Sequence, residues 1–270
     1  MPARCARCNG PDSPIGRPRA PLALVPRHAP GMSSLTAARG STSPVVSPAP
    51  VAARRAGGAA VVAWACLAGF AAIFGLVRAK QSEALDLALT LKLQRRDRPA
   101  VSVLMRAVSW PGFPPQSRII PVAIAGALAA ARLRLEAGAF LLAWGTAPLA
   151  TAVKALMLRP RPVAGTDLRV VAAPLGGSSF PSGHTITYVG LYGFLAYLAY
   201  ALVRPALLRR TLVGGLVGLV ALVGPSRVQQ GHHWFTDVTA SYLLGIAYLI
   251  GVTSLYRRLK AGPSRWGSRG

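Results

Sequence analysis

The sequence predicts an all-α protein, a six-transmembrane helical bundle, and two observations carry that prediction. Of its 270 residues, 52% are hydrophobic and only 14% charged, a balance unusual for a soluble domain. The apolar residues also gather into runs, several of them long enough to reach the ~17–25 residues that span a bilayer as helix. A soluble all-helical protein with buried core helices is the alternative, and the number of such runs argues against it.

The elements follow in chain order. Residues 1–56 are rich in Pro, Arg, Ala and Ser, with no helical or strand period, and read as a disordered basic tail. Within it PLALV is too short for the apolar core of a signal peptide, and Met32 is an alternative start to Met1. The first span, 57–77, GGAAVVAWACLAGFAAIFGLV, closes on Arg78. Segment 78–118, which contains LDLALTLKLQ, is expected as an amphipathic helix lying at the interface. The second span, 119–131, is short unless the preceding PGFPPQS joins it, and the third, 137–153, closes on Lys154. Spans at 185–203, 211–225 and 238–256 complete a domain expected over 57–256, followed by a basic tail, 257–270.

The formal net charge of +24 invites a nucleic-acid reading. The arginines, however, sit at the ends of apolar runs and along the tail. No basic stripe interleaved with aromatics and no nucleic-acid motif is present, so no nucleic-acid partner is expected. Cys5 and Cys8 form CARC, but no second pair follows to complete a zinc site. Cys66 falls inside the first span, where cysteine behaves as a small hydrophobe. Neither a metal nor a disulfide is supported.

Six spans put both termini on one side. Arg132, Arg134, Arg204, Arg209, Arg210, Arg257, Arg258 and Lys260 fall on that side. Lys154, Arg159, Arg161, Arg169, Arg227 and eight basic residues in 78–118 fall on the other and blur the rule, and cytoplasmic termini are the expectation. The loops after spans one, three and five then open together on the opposite face. The polar clusters concentrate in the loops after spans three and five, so residues distant in sequence can meet there.

Three clusters carry chemistry. In KALMLRPRP, 154–162, Lys154 and Arg161 are seven apart, but Pro160 and Pro162 end any helix near Leu158. The pair is either a headgroup anchor or an anion grip, with Lys as point charge and Arg as a fork matched to phosphate. In SSFPSGHT, 178–185, Ser182 and Gly183 read as a helix start, where free N–H groups favour an anion. His184 follows as either an interfacial residue or a catalyst. In SRVQQGHHWFTD, 226–237, His233 and Asp237 are four apart, which on one helix lets them hydrogen-bond. A carboxylate on one imidazole nitrogen would free the other as nucleophile or base; a helix cap at Asp237 is the plainer reading.

Together, Lys154 with Arg161-Pro162, then Pro181-Ser182-Gly183-His184, then Ser226-Arg227 with His233 and Asp237 read K-x6-RP, PSGH and SR-x5-H-x3-D. In order and spacing the chain resembles the type 2 phosphatidic acid phosphatase family, whose soluble relatives include bacterial acid phosphatases and vanadium haloperoxidases. The signature covers 154–237, and nothing in 1–56 takes part. Two departures are local: His232, where an apolar residue is common, and Ser241, near a usual glycine.

The resemblance implies a phosphatase site at one membrane face of the bundle, with no cofactor. Lys154, Arg161 and Arg227 would neutralise the phosphate, and Ser182 and Gly183 would add fixed donors. His233 would attack phosphorus to form a phosphohistidine, with Asp237 holding its ring. His184 would protonate the leaving group and then activate water. A neutral His233 and a protonated His184 imply a bell-shaped pH–rate profile. The substrate class is a lipid phosphate held from the bilayer: phosphatidic acid, phosphatidylglycerol phosphate, polyprenyl pyrophosphate and sphingoid phosphates present the same terminal group. The expected orientation puts the site on the extracytoplasmic face of the cell membrane. A lipid phosphotransferase with the same phosphohistidine and a non-catalytic headgroup binder are the alternatives. A vanadate-dependent haloperoxidase fits poorly with six spans, and a transporter with the lack of repeated halves.

Overall fold

The computed structural model describes residues 49–95, 98–165, 168–173 and 175–262. CARC and most of the expected N-terminal tail lie outside them, as does the chain beyond residue 262. Among the described residues the secondary structure is helical, with no strand. It comprises α1 (Ala49–Arg78), α2 (Glu83–Gln94), α3 (Pro99–Ser109), a 3-10 turn (Trp110–Gly112), α4 (Gln116–Ala130), α5 (Arg134–Ala143), α6 (Thr146–Met157), α7 (Gly183–Leu202), α8 (Ala206–Gln229) and α9 (Phe235–Ala261). The all-α prediction holds, and α1 begins inside the segment expected as tail.

Five stretches are long and apolar enough to cross a membrane: Gly57–Arg78, Arg134–Met157, Gly183–Leu202, Ala206–Gln229 and Phe235–Ala261. The expected second span is α4, an apolar helix of 15 residues. At 1.5 Å per residue it falls short of the ~30 Å hydrocarbon core. The protein is an integral membrane protein built on these helices.

α7 is the hub. It is apolar nearly all round, as a helix surrounded by protein should be, and 11 of its 20 residues are buried. Phe194 and Leu198 meet Phe140 of α5 and Tyr256 of α9 on one side. Tyr188 and Tyr192 meet Val108 of α3 and Val223 of α8 on another. Ile186 meets Ala150 of α6 and Leu244 of α9. α7 is thereby held from three directions along its length, and its first turn carries His184.

Segment 78–118 is not one interfacial amphipathic helix. Pro99 disfavours helix at the residue before it, and the chain forms two short helices, α2 and α3. The buried stripe of α2 is polar, with Asp86, Thr90 and Gln94 spaced four apart, while Leu85, Leu87 and Leu93 are exposed. A polar stripe can face the interior because it is hydrogen-bonded there. Gln94 Nε2 donates to the carbonyls of Arg169 and Gln229, and Asp86 reaches the start of α9.

Candidate active site

The three motifs meet at one end of the bundle, where α6 and α8 finish and α7 and α9 begin. α6 stops at Met157, with Leu158 in the left-handed conformation as its cap. The prolines that follow prevent continuation, so Arg161 reaches the site along a non-helical turn. Lys154 and Arg161 still converge, because both donate to the carbonyl oxygen of Ser178, at 2.6 and 3.3 Å. Burial holds the Arg161 guanidinium below its ordinary value, partly offset by Asp237, yet it remains a cation.

α7 opens as the PSGH stretch predicts. Ser182 is its N-cap, accepting from the Thr185 amide and hydroxyl, which leaves its own O–H proton unassigned among the described bonds. Gly183 and His184 follow at the helix start.

His233 lies before α9, not on it, since the helix begins at Phe235. This corrects the expected His233–Asp237 hydrogen bond. Nδ1 of His233 sits 2.7 Å from the Ser179 carbonyl, while Asp237 Oδ2 is 3.6 Å away, beyond hydrogen-bond range. A carbonyl only accepts, so Nδ1 carries the proton and Nε2 keeps its lone pair. A guanidinium of Arg161 lies 3.3 Å from that Nε2, which fits Nε2 as acceptor. Burial, then the charges of Arg227, Arg161 and Lys154, hold the His233 ring well below its ordinary value of 6.5. At neutral pH that favours an uncharged imidazole whose Nε2 lone pair is met only by Arg161 among the described bonds.

Asp237 is the helix cap of the plainer reading and more. Oδ2 accepts from the Trp234 amide at 2.9 Å, and Oδ1 pairs with Arg159 at 2.6 Å. The same guanidinium pairs with Asp86 at 2.6 Å, whose other oxygen accepts from the Thr236 amide. Both carboxylates are at most 1% exposed, and leaving one unpaired there would cost roughly 3–5 kcal/mol.

Lys154, Arg161, Gly183, His184 and His233 line one cavity of about 380 Å³, which continues past Ala147 and Ala150 to Pro121, Trp144 and Leu191. Ser182, Arg227 and Asp237 do not line it; each is 0% exposed behind its wall. None of the three Arg227 guanidinium nitrogens has a hydrogen-bond partner. The group lies 4.9 Å from the Phe113 ring centroid, and Phe113 in turn packs edge-on to His184 at 4.6 Å. Nε2 of His184 is also unpartnered. Among the described residues no three His, Cys, Asp or Glu side chains gather as a metal would need.

Residues 136–261 match the family model described as the PAP2 superfamily. The chain carries a PAP2-superfamily domain. No curated protein sequence matches it. Two solved structures share its fold. One is described as the first transmembrane PAP2 type phosphatidylglycerolphosphate phosphatase from Bacillus subtilis, with a TM-score of 0.64 and 22% identity, covering 73% of this chain and 96% of that one. The other is Aquifex aeolicus LpxE, with a TM-score of 0.51 and 22% identity, covering 63% and 95%.

The PAP2 domain extends its site with residues from the chain before it. The Trp110–Pro115 connection covers His184, and a Cβ at Gly112 would lie 2.2 Å from His184 Cδ2. Gly112→Ala must therefore displace the ring, and turnover is expected to fall about 100-fold for a shift near 1 Å. Comparing kcat with wild type at equal thermal stability checks this. Asp86, Arg159 and Phe113 were not singled out by the motif. The scarcity of acidic residues, seven in a +24 chain, is the signal that could have drawn attention to Asp86.

His232 has a backbone partner of its own. Its own Nε2 lies 2.6 Å from the Val171 carbonyl; burial, then Arg227, lowers it to about 4. Protonation at this site therefore favours the unfolded chain, and its contribution, full above pH 6.5, is lost as pH falls towards 4. The melting temperature of the PAP2 domain is expected to drop across that window, and His232→Gln should flatten the drop. Gly231, before it, adopts φ +71° with Arg169 O 2.3 Å from any Cβ, so glycine is needed for the turn that presents both histidines.

Proposed function

We propose that this PAP2 domain is a lipid phosphatase that hydrolyses a phosphomonoester or pyrophosphate through a phosphohistidine, without a metal. The observation that carries the reading is the buried His233, whose Nδ1 is held by the Ser179 carbonyl and whose Nε2 lies 3.3 Å from Arg161 at the cavity. Phosphoryl transfer needs chiefly positioning and charge neutralisation; Lys154 and Arg161 supply two cations at the cavity wall, with the Arg227 charge buried behind it.

In the first step Nε2 of His233 bonds to phosphorus as the bond to the leaving oxygen breaks, and His184 donates its proton to that oxygen. In the second, water attacks phosphorus, His184 accepts a proton, and the P–N bond breaks to release inorganic phosphate. The lowered His233 value puts the acid limb of kcat/KM below the ordinary 6.5 of a histidine. The apolar wall of the cavity at Pro121, Trp144 and Leu191 suits a substrate whose tail stays in the bilayer. We place the site on the extracytoplasmic face of the cell membrane, because Arg204, Arg209, Arg210, Arg257 and Arg258 flank the opposite ends of α7, α8 and α9.

The test is phosphate release by the purified protein in detergent with excess chelator, from phosphatidic acid, phosphatidylglycerol phosphate and undecaprenyl pyrophosphate in parallel. Release from at least one, lost in His233→Ala, supports the reading, and the ratio of rates selects the substrate. Chelator-sensitive release would overturn metal independence, and transfer only to an added alcohol would make it a phosphotransferase. Protection of cysteines introduced at 163–165 from an impermeant label in intact cells would overturn the orientation.

A further inference from the structure

We infer that Asp86 and Arg159 are positioning residues for His233, acting from α2 and from the α6–α7 connection. The inference rests on the phosphohistidine reading above and adds what holds the nucleophile in aim. His233 has two anchors. One is the Ser179 carbonyl that accepts from Nδ1; the other is the backbone at Trp234, whose amide is held by Asp237 Oδ2.

Arg159 holds both anchors. Its backbone carbonyl accepts from the Ser179 amide at 2.8 Å, and its own amide donates to Ser178 Oγ at 2.9 Å. Its guanidinium forks. One nitrogen reaches Asp237 Oδ1 and Thr236 Oγ1, the other Asp86 Oδ2 and Ser82 Oγ. A lysine ammonium lacks the planar fork that spans two carboxylates at once. Asp86 completes the clamp by accepting from the Thr236 amide and hydroxyl at the first turn of α9.

The clamp also sets charge. Asp237 lies 3.6 Å from the His233 ring, which becomes cationic when Nε2 is phosphorylated. Asp86 thus acts through Arg159 and Asp237 and touches no reacting atom.

The test uses the full-length protein in detergent, with kcat and KM for a lipid phosphate, the affinity for orthovanadate as a phosphate analogue, and the melting temperature. Asp86→Asn is expected to lower kcat about 10- to 100-fold with KM changed less than about threefold, and Asp86→Glu to restore part of it. In an Asp237→Asn background the Asp86 change should add nothing further. Unchanged kcat in Asp86→Asn, a rise in KM alone, or losses that multiply with Asp237→Asn would overturn the inference. If Asp86→Asn does not fold, Arg159→Lys is read in its place against the same outcomes. If wild type binds orthovanadate through His233 but releases no phosphate, the hydrolase reading fails and the vanadate affinities of the same variants decide the clamp. If it does neither, both fall.

Discussion

His233→Ala is expected to lower phosphate release by about 10⁴-fold or more, because the proposed covalent intermediate forms on its Nε2. The substitution also removes the donor to the buried Ser179 carbonyl, a loss of roughly 1–3 kcal/mol. A modest fall in melting temperature should therefore accompany a near-complete loss of turnover. Measuring both on the same preparation separates them. Residual turnover within about tenfold of wild type would place the nucleophile elsewhere.

Arg227→Met is expected to move activity and stability in opposite directions. Arg227 is fully buried, its guanidinium nitrogens have no hydrogen-bond partner, and the Phe113 face offsets only part of the desolvation cost. Methionine fills similar space without the charge, which should raise stability by about 1–4 kcal/mol. Turnover should fall about 100- to 1,000-fold, as when a fixed donor to developing charge is removed. Thermal unfolding in one detergent, with and without inorganic phosphate, checks both halves. Phosphate should stabilise wild type more than Arg227→Met, since Arg227 adds to Lys154 and Arg161 in giving the anion a preference for the folded state. A variant less stable than wild type would show that Arg227 serves the fold instead.

The sequence made the bundle and most of the site legible where local rules decide. The double proline after Leu158 ends α6, Ser182 caps α7, and the apolar runs mark the long helices. It was silent where tertiary position decides. Arg159 and Arg161 share the same local setting, RPRP, yet one pairs with carboxylates and the other with His233. What separates them is Asp86, which arrives from 73 residues upstream. The four-residue spacing of His233 and Asp237 assumed a helix that begins two residues too late to hold them both. Leucine-rich α2 concealed a polar stripe, because hydropathy counts residues without knowing which face meets a partner.

The Ser179 carbonyl that orients His233 comes from 54 residues upstream, and the carboxylate of Asp86 meets Thr236 across 150. No local fragment of the chain can therefore be a catalyst, although several contain a complete motif. The bonds between Asp86 and Thr236 form only when the last helix has docked against the first loop. Phosphate release then doubles as a readout of completed assembly, useful for judging whether a detergent, a truncation or a lipid bilayer has delivered the native bundle.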